Sequence, residues 1–375
     1  MKNFNLLQVL PELESGGVEQ GTIDLANYLG QKKLGSFIVS NGGKMESFLD
    51  SKHVKHFRIP VHSKNILNIF SNARKVLKVI SDNNINIVHV RSRAPAWMLQ
   101  FIRNKNFKTV STFHNIYGSN NFFKTQYNKS LAKVDNIIAI SNFVKSNIIK
   151  NYRINEDKIN VINRGIDTDF YNPEVYDQSK FIQFLSKYNV PSDKRIILYP
   201  GRLTEWKGQL NFLEVLKNFR DNNVFCFFVG DDKNSSYTKK FIKEINKKRI
   251  NHFCKVLGNL SSLDLKFFYK CSDVIISAPL KPEGFGRTIS ESLSMKKIIL
   301  SYDYGGAKDQ LFKLSNHYKI KPFDHLDLKS KIDNILQMTQ EEKENLGKVA
   351  REHVIKNFSK ELMLNNYLNF YNNIL

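Results

Sequence analysis

Short runs of apolar and β-branched residues alternate along the whole chain with segments of helical apolar spacing. In the first half the runs are FNLLQVL (4–10), SFIVSN (36–41), HFRIPV (56–61), INIVHVRS (85–92), KTVSTFH (108–114) and NIIAIS (136–141). A second series follows with RIILYPGR (195–202), VFCFFVGDD (224–232), FCKVLG (253–258), DVIISAP (273–279) and KIILSYDYG (297–305). Helical patterns such as 208–220 and 261–271 lie between them. Runs of this kind belong to strands buried on both faces, so the pattern predicts parallel sheets covered by helices. Two series predict two doubly wound, Rossmann-like α/β domains. The stretch NRGIDTDFYNPEVYDQSK (163–180) has little periodicity and many turn formers, which places the connection there. The expected domains are 1–170 and 171–358, and the helical segment 359–375 is a candidate to pack back on the first. Ligands of open α/β sheets bind beyond the carboxyl ends of the strands, which makes a cleft between two such domains the expected site.

Composition narrows the class. The chain has 375 residues, 41% of them apolar and 25% charged, as in a folded soluble protein. Cys226, Cys254 and Cys271 are odd in number and lack metal-ligand spacing, which suits a reducing compartment and small buried hydrophobes. No run approaches the 18 or so apolar residues of a membrane span. The opening MKNFNLLQVLPELES is cut by Pro11 and Glu12 before a signal-like core forms, so it reads as a first strand and the expected location is cytoplasmic.

Charge changes the picture more. The net charge is +22, and residues 51–150 hold 17 Lys or Arg against two acids, Asp82 and Asp135. Such a concentration points to a polyanionic neighbour, a nucleic acid or an anionic lipid surface. Within it, SKNILNIFSNARKVLKVI (63–80) places Ile66, Ile69, Phe70, Ala73, Val76, Leu77 and Ile80 on one helical stripe. Lys64, Arg74, Lys75 and Lys78 share the remaining surface. Two readings stay open: a core-facing helix with a solvated basic side, or a helix that also meets a membrane.

Four small constellations fall at strand ends. ESGGVEQG (14–21) is a glycine turn in which Gly16 and Gly17 permit close backbone approach at a helix N-terminus, although an ordinary tight turn has the same residues. TFHN sets His114 at the end of a strand, where it is either structural or aimed at a ligand. GRLTEWKGQ (201–209) puts Arg202 and Lys207 around a turn into a helix, a fork and a point charge suited to a diphosphate. KPEGFGRTISESLSMKK carries Glu283 and Glu291 with seven residues between them, and Gly284 and Gly286 allow the Phe285 and Gly286 amides to face a ligand. A helical rise would separate two such carboxylates by about 12 Å, long for one glycosidic bond and suited to a ligand held at two ends.

Together GGVEQG, TFHN, GRLTEWKGQ and EGFGRTISE, in this order over nearly the whole chain, resemble the retaining GT-B glycosyltransferases of family 4. The resemblance implies the following roles. Glu283 contacts hydroxyls of the donor sugar, and Glu291 holds the ribose of the nucleotide. Arg202 and Lys207 take the diphosphate, helped by Gly16, Gly17 and the Phe285–Gly286 backbone. His114 lines the transferred sugar near the reacting carbon. The implied donor is a UDP-, GDP- or ADP-linked sugar, with no cofactor and no metal, and no enzyme base is implied, because the leaving phosphate takes the acceptor's proton on the same face. DTD (167–169) matches the D-x-D metal pattern of the other glycosyltransferase fold but lies in the wrong part of the chain for it.

The chain departs from the family pattern in places. VINRGID carries Asn163 and Arg164 where many relatives have Pro–Asn, and GGAKD (305–309) ends in Asp309 where Glu is common. HVRSRAPAW (89–97) puts Arg91 and Arg93 at a strand end, as a solvated pair or as acceptor-side groups for a phosphate or carboxylated sugar. The expected function is a hexosyl transfer to a glycolipid or lipid-linked glycan, most naturally lipopolysaccharide or surface polysaccharide, by an enzyme peripheral to the inner membrane face. A sugar-nucleotide epimerase of the same architecture and a nucleic-acid-binding protein are the alternatives. The epimerase would not carry the GRL…KG and E-x7-E pair. The nucleic-acid reading lacks zinc, helix-turn-helix and RNP patterns, so no nucleic-acid partner is expected.

Overall fold

The chain divides into two compact units, Met1–Gly165 with Lys360–Leu375, and Ile166–Ser359. The computed structural model describes residues 2–63, 65–102, 106–118, 121–219, 223–230 and 235–375. The first unit is built on β1 (Asn5–Val9), β2 (Gly35–Ser40), β3 (Val54–Arg58), β4 (Ile87–Val90), β5 (Lys108–Phe113), β6 (Asn136–Ala139) and β7 (Ile159–Val161). The second is built on β8 (Arg195–Pro200), β9 (Val224–Val229), β10 (Cys254–Leu257), β11 (Val274–Ser277), β12 (Ile299–Tyr302) and β13 (Lys319–Ile320).

All pairings between these strands are parallel, in the orders β3-β2-β1-β4-β5-β6-β7 and β10-β9-β8-β11-β12-β13. Strand order reverses between β1 and β4 in one sheet and between β8 and β11 in the other. Loops diverge at such a switch point and leave a crevice at the carboxyl ends. The strands read as continuous apolar runs because both faces are covered; Leu6, Leu7, Ile87 and Val88 are fully buried.

Three local differences from the sequence pattern have clear causes. The third strand spans Val54–Arg58 rather than 56–61, since Pro60 has no amide to donate. The short edge strands β7 and β13 have three and two residues, too few to show a pattern. In the helix Ile66–Asp82 the buried side is formed by Ile69, Asn72, Ala73, Val76, Val79 and Ile80, whereas Phe70 and Leu77 are 47% and 41% exposed. Asn72 belongs to the buried side because its amide donates to the Pro60 carbonyl at 2.9 Å.

The helix Lys360–Ile374 completes the core of the first unit. Met363, Leu364, Tyr367, Leu368, Phe370 and Tyr371 cluster with Phe4, Leu6, Leu25, Leu29 and Ile87. Each such side chain contributes about 1.5–3 kcal/mol on burial, so this helix is integral to the unit. In the second unit the Ile166 amide donates to the Phe358 carbonyl at 2.8 Å, which ties together the two ends of that unit's chain.

Candidate functional site

In the second unit the residues singled out by sequence gather beyond the ends of β8 and β11, at the switch point. Gly201 follows β8 with φ 140°, and a Cβ there would sit 3.8 Å from the Lys207 side chain. A 3₁₀ turn, Glu205–Lys207, then leads through Gly208 at φ 83° into the helix Gln209–Leu216. Gly208 cannot be replaced cheaply, because a Cβ would lie 2.2 Å from the Ala278 carbonyl oxygen. The turn is pinned from beneath, where the Tyr199 hydroxyl donates to the Lys207 carbonyl at 2.7 Å. Arg202 is exposed, and its carbonyl accepts from Gln209 Nε2 at 3.0 Å.

Lys207 reaches across to the loop after β11. Its Nζ lies 2.6 Å from Glu283 Oε1, with both side chains mostly buried, and 4.7 Å from the Trp206 ring centroid. Glu283 Oε2 is in turn 3.9 Å from where a Cβ on Gly286 would stand. Gly286, at φ 89°, is the cap of the helix Arg287–Ser294, so the carboxylate and the first helical amides share one corner. The Phe285 ring is buried against Phe358, and its carbonyl accepts from Gln310 Nε2, which leaves only its backbone amide for a ligand. The loop Gly305–Gly306 packs on this one, and a Cβ on Gly306 would meet the Gly284 carbonyl oxygen at 2.4 Å.

Glu291 is held differently. It is 5% exposed; the Tyr269 hydroxyl donates to its Oε2 at 2.9 Å, and Arg287 Nη2 lies 3.3 Å from Oε1. Burial, and the Glu291 charge after it, push the Tyr269 hydroxyl well above its ordinary value, so it remains a donor. The Arg287 contact is legible as an i, i+4 pair, but nothing in the spacing points to Tyr269. A cavity of about 500 Å³ in the same unit opens among Asp273, Lys297 and Lys343 at the amino ends of β11 and β12 and shares no residue with this cluster. In DTD, Asp167 Oδ1 accepts from the Phe170 amide at 2.9 Å, which makes it part of a turn.

In the first unit the glycine turn follows β1. Gly16, at φ 131°, caps the helix Gly17–Gln31, and the Glu19 carboxylate folds back so that a Cβ on Gly16 would be 2.7 Å from its Oε2. His114 follows β5 directly. Its Nδ1 lies 3.0 Å from Arg164 Nη2, and its Nε2 is buried with no hydrogen-bond partner among the described residues. Burial first, then the Arg164 cation, hold this imidazole well below the ordinary histidine range.

Arg91 corrects the sequence reading. It is 1% exposed, donates from Nε and Nη2 to Gln8 Oε1 at 3.1 and 2.5 Å, and donates from Nη1 to the Tyr367 hydroxyl at 3.1 Å. It is neither solvated nor turned to an acceptor; it ties the helix Lys360–Ile374 to the sheet. Arg93 packs over the Tyr117 and Tyr127 rings at 4.6 and 5.4 Å and donates to Asn128 Oδ1 at 2.9 Å. Arg74, Lys75 and Lys78 are exposed on their helix, and Lys64 lies outside the described residues.

Known proteins share this fold. The chain is 37% identical to a glycosyltransferase from Rickettsia africae ESF-5, whose crystal structure superposes with a TM-score of 0.90 over 100% of this chain and 99% of that one. HepE from Anabaena, solved with UDP and glucose, shares the fold at 18% identity, with a TM-score of 0.83 over 99% of this chain and 100% of its own. Trehalose synthase from Thermococcus litoralis is 24% identical over 231 residues, 58% of this chain and 54% of that protein. The chain therefore spans about half the length of the first curated relatives it matches. Residues 15–170 match the model of Glycosyltransferase Family 4, and residues 181–353 match that of Glycosyl transferases group 1. With both models matched in order and both sheets in place, the chain belongs to the GT-B glycosyltransferases of family 4.

Proposed function

We propose that the protein transfers a hexosyl group, with retention, from a nucleoside diphosphate sugar to a glycan or glycolipid at a membrane. The observation that carries this reading is the corner formed by Lys207, Glu283 and Gly286 at the β8/β11 switch point. It offers a cation and helix N-terminal amides to a diphosphate, with a carboxylate beside them for sugar hydroxyls. In the reaction the bond from the anomeric carbon to the phosphate oxygen breaks and a bond to the acceptor oxygen forms. The acceptor's proton passes to the departing phosphate. Negative charge grows on that phosphate, and groups fixed in advance stabilise it more effectively than water does. Lys207, Arg202 and the amides before the helix Arg287–Ser294 take this role, and Glu291 holds the ribose. No resident metal is needed in this scheme.

UDP is the first candidate nucleotide, because HepE holds UDP on the same fold. The membrane side of the reading rests on the helix Ile66–Asp82. Leu67, Phe70 and Leu77 are exposed beside Arg74 and Lys78, apolar and basic groups on one flank, as an anionic lipid surface requires. Lipopolysaccharide or another surface glycan is the acceptor this favours.

Calorimetric titration of UDP, GDP and ADP into the wild type and Arg202→Ala tests the donor assignment. One nucleotide should bind selectively and bind at least tenfold more weakly to the variant. Failure of all three to bind, with and without anionic lipid, would overturn the reading.

A further inference from the structure

The contact between the histidine after β5 and Arg164 fixes where the ring carries its proton. A guanidinium has five N–H groups and no acceptor, so wherever Arg164 Nη2 meets His114 Nδ1, the arginine donates and the ring nitrogen accepts. An accepting Nδ1 carries no hydrogen. In the neutral ring the single N–H must then sit on Nε2, the atom that is buried and unpartnered among the described residues. A buried donor left unpaired is destabilising, and an oxygen acceptor brought by a ligand recovers that cost.

The sequence provides for the arginine as well. Arg164 is 8% exposed, and its Nη1 stands 2.6 Å from where a Cβ on Gly21 would be. Gly21 lies inside the helix Gly17–Gln31, where alanine would be favoured on propensity alone. The last glycine of GGVEQG therefore makes room for the guanidinium, and Arg164 is one of the two residues, with Asn163, at which the chain departs from the Pro–Asn of many relatives.

We propose that Arg164 is a positioning residue that fixes His114 as the Nε2–H tautomer, so that His114 donates a hydrogen bond to a ligand oxygen and does not act as a base. Gly21 serves the same end by admitting the arginine. The tautomer follows from this geometry alone; only the identity of the ligand oxygen, a hydroxyl of the transferred sugar, rests on the function proposed above.

Two measurements test it separately. In ¹⁵N-labelled protein near pH 7, His114 should show a protonated Nε2 and a hydrogen-bonded, unprotonated Nδ1. In Arg164→Met the Nδ1 resonance should move to that of an unbonded imine nitrogen. Gly21→Ala should give the same shift with both partners present, since its methyl displaces the flexible end of Arg164 without removing a core contact. A protonated Nδ1 in the wild type, or an Nδ1 signal indifferent to both substitutions, would overturn the proposal whatever the enzyme acts on. The second measurement is sugar transfer. His114→Gln carries an N–H at the reach of Nε2 and should retain activity within about tenfold, whereas His114→Asn, which reaches only as far as Nδ1, should lose at least a hundredfold. Equal loss in the two, with both folded, would indicate a base and overturn the donor role while leaving the tautomer to the spectra.

Discussion

Lys207 Nζ lies 2.6 Å from Glu283 Oε1, so the cation assigned to the diphosphate and the carboxylate assigned to the sugar are each other's partner before any ligand arrives. A nucleoside diphosphate must compete with Glu283 for that ammonium. On the proposed assignment, sugar hydroxyls of the whole donor would occupy the carboxylate and relieve that competition.

Glu283→Gln should therefore raise the affinity for a free nucleoside diphosphate while abolishing transfer. A coupling of about 1–2 kcal/mol, within the range for contacting charged pairs, corresponds to roughly five- to thirtyfold tighter binding by calorimetry. Weaker binding in the variant would mean that Glu283 helps to hold the nucleotide itself.

Glu291 depends on Tyr269. The hydroxyl donates to Oε2 at 2.9 Å inside the core, and Tyr269→Phe would leave a buried carboxylate oxygen one donor short. We expect a loss of about 1–3 kcal/mol in unfolding free energy by urea titration. Nucleoside diphosphate affinity should fall as well, with pyrophosphate affinity unchanged, because only the ribose end is disturbed. An equal fall for pyrophosphate would place Glu291 nearer the phosphates.

The contrast between these residues and Arg91 shows what a sequence can convey. The ends of β8 and β11 were legible because each motif there is local: a strand, a glycine and a charged turn within ten residues or so. The pairing of Lys207 with Glu283 needs the crossover between those strands, which the alternating pattern implies without locating any atom. Arg91 looks the same as an exposed strand-end arginine on paper. What removes it from the surface is a hydroxyl 276 residues later in the chain, on a helix whose periodicity was plain and whose destination was not. The helix Ile66–Asp82 differs from its apolar pattern for a related reason. Phe70 and Leu77 fit an apolar stripe, but Asn72 takes the core side, where its amide donates to the Pro60 carbonyl.

The exposure of Phe70 and Leu77 sharpens the membrane prediction. Arg74→Glu, Lys75→Glu and Lys78→Glu together should weaken binding to anionic vesicles by about two orders of magnitude or more, at about 1 kcal/mol for each lysine or arginine near such a surface. Leu67→Ser with Phe70→Ser should weaken it without altering its dependence on salt. Co-sedimentation at two salt concentrations separates the two effects. If neither set changes vesicle binding, the flank is an ordinary solvated face.

Acid should destabilise this protein in a window set by its buried histidines. His89 is fully buried between the Tyr371 and Thr112 hydroxyls, at 2.6 and 2.7 Å, and burial, followed by the Arg91 cation, holds it well below the usual histidine range. His114 is lowered in the same direction, as are His56 and His353, all chiefly by burial. The unfolded chain binds a proton at each of these positions as pH falls past about 6.5, and the folded chain binds it only at lower pH. More protons on the unfolded side mean that stability falls with pH, by up to about 1.4 kcal/mol per pH unit for each histidine. Carboxylates act elsewhere: Glu214, lowered to about 2 by Lys217 and Lys248, loses its contribution only at far lower pH. Glu19, raised by burial, opposes the trend because its protonation favours the fold. Urea midpoints should therefore drop steeply between pH 6.5 and 5. His89→Gln, which has no proton to gain, should flatten that slope by about one histidine's share. A midpoint flat across the window would mean that these rings accept protons in the folded state.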